Sequence, residues 1–241
     1  MTRKIAVVTG GNKGIGFAIV RGLCEKFDGD VYLTSRDVGR GESAVELLKC
    51  AGHSLLYHQL DITDQKSVDS FKNHLISKYG GIDLLVNNAA IAFKNDSTEP
   101  FGLQARETIN DAKVEQFKNK NLSIEKLSEL MRKFVKDSEE GNNVKEGWGE
   151  SAYSVSKVGV SALSFVQQRL LNAENPNRNI SVNAVHPGYV KTDMTSHKGV
   201  FTIEEGARAP LFLSLKSTYK GQFVWKDKKA IEWDGQLPEP Y

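Results

Sequence analysis

Cysteine is scarce in this sequence: Cys24 and Cys50 are the only two, each inside a stretch that reads as helix. Two lone thiols exclude a disulfide scaffold and suit a reducing compartment, so a cytoplasmic location is expected. Long apolar runs are missing as well, and none approaches the roughly eighteen residues that a bilayer crossing needs. Behind the basic start Met1-Thr2-Arg3-Lys4 only Ile5 to Val8 is continuously apolar, too short for the core of a signal peptide. Charge of one sign is not in excess either. With 32 Lys+Arg against 30 Asp+Glu the formal charge is +2, which gives no field for nucleic acid or a membrane surface. Small molecules are the expected partners. His53, His58, His74 and His197 show no metal-ligand spacing with the cysteines, so no metal is expected. No repeat, low-complexity tract or linker interrupts the chain, and 241 residues at 39% hydrophobic and 26% charged suit one domain spanning 1–241.

What is present is an alternation of short apolar runs with helical periodicity. Ile5 to Val8 reads as a strand buried on both faces, and Ile15, Ile19 and Leu23 recur at helical spacing behind it. Val31 to Thr34 is a second strand, Glu42 to Cys50 a second helix, Leu55 to Leu60 a third strand, Val68 to Tyr79 a third helix and Ile82 to Val86 a fourth strand. This order predicts an α/β fold, a Rossmann-like, doubly wound parallel sheet with helices on both faces and its ligand at the carboxyl ends of the strands. Between Lys94 and Glu150 no run of four apolar residues could form a buried strand. Leu122, Leu127, Leu130, Met131, Phe134 and Val135 share a helical face with Ser123 as a candidate N-cap, so a helical insertion is expected at about 111–150. A long helix follows from Ala152 to about Leu171, then strands at Ile180 to Val185 and Gln222 to Trp225.

The loop Gly10-Gly11-Asn12-Lys13-Gly14-Ile15-Gly16 lies between a strand and a helix, the setting in which a glycine pattern becomes a phosphate-binding hypothesis. Gly10 would permit the tight turn, Gly14 the close approach of backbone to a pyrophosphate, and Gly16 the packing of helix on strand, with the positive helix end facing the anion. A flexible surface turn is the alternative. A P-loop is excluded, because Lys13 precedes its glycine and no Gly-Lys-Ser/Thr occurs there. At the end of the second strand Ser35-Arg36 stands where a carboxylate would favour NAD. Arg36 with Lys13 and Arg40 would instead surround a 2′-phosphate, which favours NADPH; a solvated loop charge beside Asp37 is the plainer reading of Arg36.

Tyr153 and Lys157 stand at i and i+4 near a helix start and so project from one face. A neighbouring ammonium would stabilise the phenolate and bring the tyrosine toward useful acidity. Alone, the pair could equally be a surface tyrosine beside an exposed lysine. The motifs taken in order resemble the short-chain dehydrogenase/reductase family and, within it, the monomeric carbonyl reductases that use NADPH. The matching pieces are Thr9 to Gly16, Asp61-Ile62, Asn87-Asn88-Ala89-Ala90, Tyr153-Ser154-Val155-Ser156-Lys157 and Pro187-Gly188-Tyr189-Val190-Lys191-Thr192. The resemblance implies that Asp61 accepts from the adenine amino group, that Asn88 holds the sheet near the cofactor, and that Val190 and Thr192 touch the nicotinamide carboxamide. It implies Tyr153 as the acid protonating a carbonyl oxygen and Lys157 as the residue that binds the nicotinamide ribose and tunes that acid. Phe93, Gln104, Tyr189 and Met194 would line the substrate pocket. A monomer is expected from the insertion ahead of the tyrosine.

The family also uses a serine at the end of a fifth strand, and that strand is not found. The likeness stops after Asn110 and resumes inside the insertion, so one interior strand and one helix of the family pattern are missing with the serine. Ser138 stands fifteen residues before Tyr153, but it belongs to a helical pattern and reads as an exposed helix end. Asn110 is set aside as a proton-relay asparagine because the residues after it do not match. His186, at the end of a buried strand, reads as a hydrogen-bonded packing element. Losing an interior strand leaves its neighbours' N–H and C=O groups unpaired. If they closed up, Tyr153 would move by about one strand spacing, roughly 5 Å, where about 1 Å already costs on the order of a hundredfold in rate. Two functions follow: NADPH-dependent reduction of aldehydes, ketones or quinones, or a catalytically silent or truncated relative that retains at most nucleotide binding.

Overall fold

The computed structural model describes residues 3–91 and 109–232, which gather into two compact units, one from 3–91 with 190–217 and one from 109–189 with 218–232. The first unit holds four strands, β1 (Lys4–Val8), β2 (Gly29–Ser35), β3 (Leu56–Gln59) and β4 (Leu84–Val86), in the order β3-β2-β1-β4. All three pairings are parallel, with Val8 opposite both Leu33 and Val86. Three helices lie between the strands, α1 (Gly14–Lys26), α2 (Val38–Cys50) and α3 (Gln65–Tyr79).

Alternation along β1 and β2 decides which helix covers which face. Ala6, Val8, Val31 and Leu33 pack with Ile19 and Leu23 of α1 and Val45 and Leu48 of α2. Ile5, Val7 and Tyr32 pack with Phe71 and Leu75 of α3. The sheet is therefore doubly wound, as its sequence pattern predicts. α2 and α3 start earlier than their apolar periodicity indicates, because Asp37 and Asp64 cap them by accepting from the amides of Arg40 and Lys66.

The second unit contains α4 (Asp111–Lys118), α5 (Ile124–Glu139) and α6 (Ala152–Glu174), followed by β5 (Ala184–Val185), β6 (Phe223–Val224) and β7 (Ala230–Ile231). β6 pairs in parallel with β5 and antiparallel with β7. Ser123 caps α5 as expected, accepting from the amide of Lys126. The strand expected over 180–185 is cut to its last two residues. The buried side chain of Gln168 takes the carbonyl of Ile180 at 3.0 Å and the amide of Val182 at 2.6 Å, so a helix side chain holds that backbone. α7 (Ile203–Leu215), which belongs to the first unit, is not anticipated by periodicity, since Pro210 interrupts it; it packs so closely on α1 that a Cβ at Gly22 would press into Leu211.

Among the described residues, no strand pairs with the outer edge of β4 or with the second edge of β5, and each unit has its own sheet. Leu84 and Val86 join the α1-side core, whereas Leu85 is 46% exposed.

The core of the second unit centres on Trp148, which is fully buried against Phe117, Phe134 and Val155. Its indole N–H donates to Asp137 Oδ2 at 2.7 Å, and the Lys113 ammonium lies 4.0 Å from its ring centroid. Lys133 bridges Asp137 and Glu146 at 2.8 and 3.0 Å. Trp148→Ala is expected to cost about 3–5 kcal/mol through the cavity and the lost indole hydrogen bond, read as a lowered urea midpoint; an unchanged midpoint contradicts this account of the core.

Candidate active site

In the first unit the site starts where β1 ends. Thr9 Oγ1 donates to the carbonyl of Val86 and accepts from the amides of Asn88 and Ala89, both at 3.0 Å. Asn88 Nδ2 donates to the carbonyls of Thr9 at 2.9 Å and Gly10 at 3.1 Å. These bonds fix the carboxyl ends of β1 and β4 together, at the point where the strand order reverses. Gly10 has φ +63°, in the left-handed region that glycine adopts without strain, and a Cβ at Gly16 would collide with Asn88 Nδ2 and the Gly10 carbonyl.

Lys13 occupies the N-cap position of α1 with no side-chain capping bond, and no acidic residue lies in the first turn. The first-turn amides around Gly14, Ile15 and Gly16 are thus left to solvent or to an anion, with the helix dipole favouring the anion. A dinucleotide phosphate fits this cradle. Gly14 also borders Thr192: a Cβ there would lie 3.4 Å from the threonine methyl. Val190 is buried, with its side chain beside Gly206.

Arg36 stands exposed just past β2, its carbonyl accepting from Gln59 Nε2 at 3.2 Å. Asp61 Oδ1 accepts from Thr63 Oγ1 at 2.7 Å and Thr63 N at 2.9 Å. Those bonds, with Arg36 nearby, hold the Asp61 carboxyl below the usual carboxylate range. Ile62 and Arg40 are exposed, and Asn12 precedes Lys13 on the loop. Lys13 itself pairs with Asp193 Oδ2 at 2.6 Å, a partner the sequence reading did not single out. Met194 lies in a 3₁₀ turn, Asp193–Thr195, that follows Thr192.

In the second unit Ser151 caps α6, accepting from the amide of Ser154, and sets Tyr153 and Lys157 on its first turns. The Lys157 ammonium lies 5.4 Å from the Tyr153 ring centroid. Burial pushes the Tyr153 phenol up and the Lys157 ammonium down from their ordinary values. The acidifying influence expected of Lys157 is therefore not what dominates here: the ammonium sits over the ring, and desolvation of both groups outweighs their attraction. Ser138 lies exposed in the last turn of α5, and Asn110 caps α4 by accepting from the Lys113 amide at 2.9 Å. Phe93 and Gln104 lie outside the described residues.

Pro187 and Gly188, the latter at φ +92°, follow β5, and Tyr189 is buried. His186 stacks on Trp225 with centroids 4.2 Å apart, and its Nδ1 accepts from the Gly188 amide at 3.1 Å. This is the packing role expected of it. An Nδ1 that accepts requires the neutral ring with its proton on Nε2.

A family profile described as short chain dehydrogenase matches residues 4–200. The chain is 41% identical to carbonyl reductase (NADPH) 1 of Sus scrofa over 281 aligned positions, taking in 99% of this chain and 96% of the relative. It is 39% identical to carbonyl reductase (NADPH) 1 of Homo sapiens over 95% of the chain and 98% of the relative. Because the chain has 241 residues, at least 40 of the 281 positions aligned with the Sus scrofa protein have no counterpart in it. That deficit is about the size of one strand with one helix. Among solved structures, salutaridine reductase from Papaver somniferum is similar at TM-score 0.77 and 28% identity, covering 92% of this chain and 99% of that one. Menthone neomenthol reductase from Mentha piperita is similar at TM-score 0.72 and 25% identity, covering 94% and 99%.

His186 generates a test in solution. Burial first, then the positive charges of Lys226 and Lys157, bring its pKa from 6.5 down to about 4. Between those values the unfolded chain takes up a proton that the folded chain refuses, so stability falls as pH is lowered from 6.5 toward 4, by on the order of 3 kcal/mol at most. His186→Asn is expected to flatten that part of the pH dependence of the urea midpoint. An unchanged slope overturns the assignment.

Proposed function

The chain belongs to the short chain dehydrogenase family, and from that footing we propose that it is an NADPH-dependent carbonyl reductase, converting aldehydes, ketones or quinones to alcohols. The observation that carries the reading is the Tyr153/Lys157 pair on one face of α6, in a chain whose curated relatives are named carbonyl reductase (NADPH). Those named activities favour an active enzyme over the silent relative that the sequence also allowed.

In this reading Gly10, Asn12, Gly14, Ile15 and Gly16 hold the pyrophosphate at the start of α1, and Arg36 and Arg40 with Lys13 face the 2′-phosphate. Asp61 and Ile62 border the adenine, Asn88 braces the loop, and Pro187, Gly188, Val190 and Thr192 serve the nicotinamide. Phe93, Gln104, Tyr189 and Met194 line the substrate pocket. When bound, NADPH supplies the hydride. Tyr153 Oη gives its proton to the substrate oxygen as negative charge builds there, and Lys157 binds the ribose and offsets the charge left on the phenolate. A phenol kept protonated by burial is the form in which a donor must wait. The helical segment ahead of Tyr153 resembles the one that covers the pairing surface in monomeric members, which supports a monomer, and the two lone thiols suit a cytoplasmic location.

The test is NADPH oxidation with a reactive quinone or dione. Tyr153→Phe is expected to lose roughly two to four orders of magnitude in turnover. A wild-type rate no higher than that of the variant overturns the reductase reading, and stoichiometric NADPH binding beside it identifies the silent relative.

A further inference from the structure

The ion pair between Lys13 and Asp193 joins residues 180 positions apart in the chain, from the glycine loop to the 3₁₀ turn after Thr192, at 2.6 Å. Asp193 sits on a rigid perch. Thr195 Oγ1 donates to the Val190 carbonyl at 2.7 Å and accepts from the Thr192 amide at 3.1 Å. The Lys191 amide donates to the carbonyl of Phe201 at 2.8 Å, and a Cβ at Gly199 would collide with the Val190 backbone. His197 Nε2 lies 3.2 Å from the other carboxylate oxygen of Asp193. The lysine, by contrast, is a point charge on a flexible stem. One partner of the pair is thus fixed and the other can leave.

Resting on the reading of Lys13 as a phosphate ligand, we propose that Asp193 is an internal counter-anion that competes with the 2′-phosphate of NADPH for Lys13, and so sets how strongly the chain prefers NADPH to NADH. Both side chains are more than half exposed, at 58% and 57%, and an exposed pair of single charges is weak. A phosphate bearing about −1.5 to −2 charges and three acceptor oxygens displaces the carboxylate. The displacement still costs binding energy, because the ammonium gives up one anion to gain another. NADH, without that phosphate, leaves the pair intact and does not meet this cost.

The experiment is isothermal titration calorimetry of NADPH and NADH against the wild-type chain, Asp193→Asn, Lys13→Ala and the double variant. Asp193→Asn is expected to tighten NADPH roughly two- to fivefold, to leave NADH unchanged, and to have no effect on either nucleotide in the Lys13→Ala background. An equal gain for both nucleotides, a gain that persists without Lys13, or no gain at all overturns the proposal while leaving the reductase reading in place. A wild-type chain that binds neither nucleotide removes both.

Discussion

β1 is the constraint on which the first unit is built. Ile5, Ala6, Val7 and Val8 are all buried, although alternate side chains of a strand point to opposite faces. A strand buried on both faces needs a strand on either side and helices above and below, and β2, β4, α1 and α3 supply them. The consequence appears at its carboxyl end, where the chain must leave the sheet in a few residues and begin a helix. Thr9 and Asn88 tie up the backbone groups left open there, and glycines let the loop pass close to β4. The uncapped helix end is the residue of that solution: the amides that no side chain satisfies are the ones available to an anion.

The electrostatics of Tyr153 and Lys157 show why spacing alone does not fix acidity. Two groups at i and i+4 are near one another, but the stabilisation of a phenolate depends on the distance from ammonium to oxygen. Over the ring, the ammonium meets the negative face of the π-system and stabilises the neutral tyrosine as well. Burial then acts on each charged form separately and moves the two groups in opposite directions. In bottom-up terms the pair supplies the right atoms, and its acidity is set by what surrounds them.

How much could be read in advance follows from which interactions are local. The four strands of the first unit, the glycine loop and α1 were all legible, because continuous apolar runs and glycine spacing are written in consecutive residues. So was the cap at Ser123, since a capping side chain bonds within its own turn. The shortening of β5 was not, because the groups that hold residues 180–182 belong to Gln168 on α6. α7 escaped notice because Pro210 breaks its pattern, and the compensating packing lies on α1, almost two hundred residues earlier. Asp193 was passed over for the same reason: its importance comes from Lys13, and no local pattern records that partnership.

The sequence pattern lacks one interior strand of the family, and among the described residues none pairs with the outer edge of β4 or the second edge of β5. A central strand of a parallel sheet normally satisfies the backbone of two neighbours, so its loss exposes two edges. Here each edge is kept short, three residues in β4 and two in β5, which limits the number of unpaired groups. Each unit has a core of its own. The first has its apolar contacts centred on β1 and β2, and the second has Trp148 clamped among α4, α5 and α6 by an indole hydrogen bond and a cation over the ring. Burial of that kind is proportional to area and indifferent to sheet continuity. Each unit therefore keeps, by itself, the packing that holds its own functional residues in place.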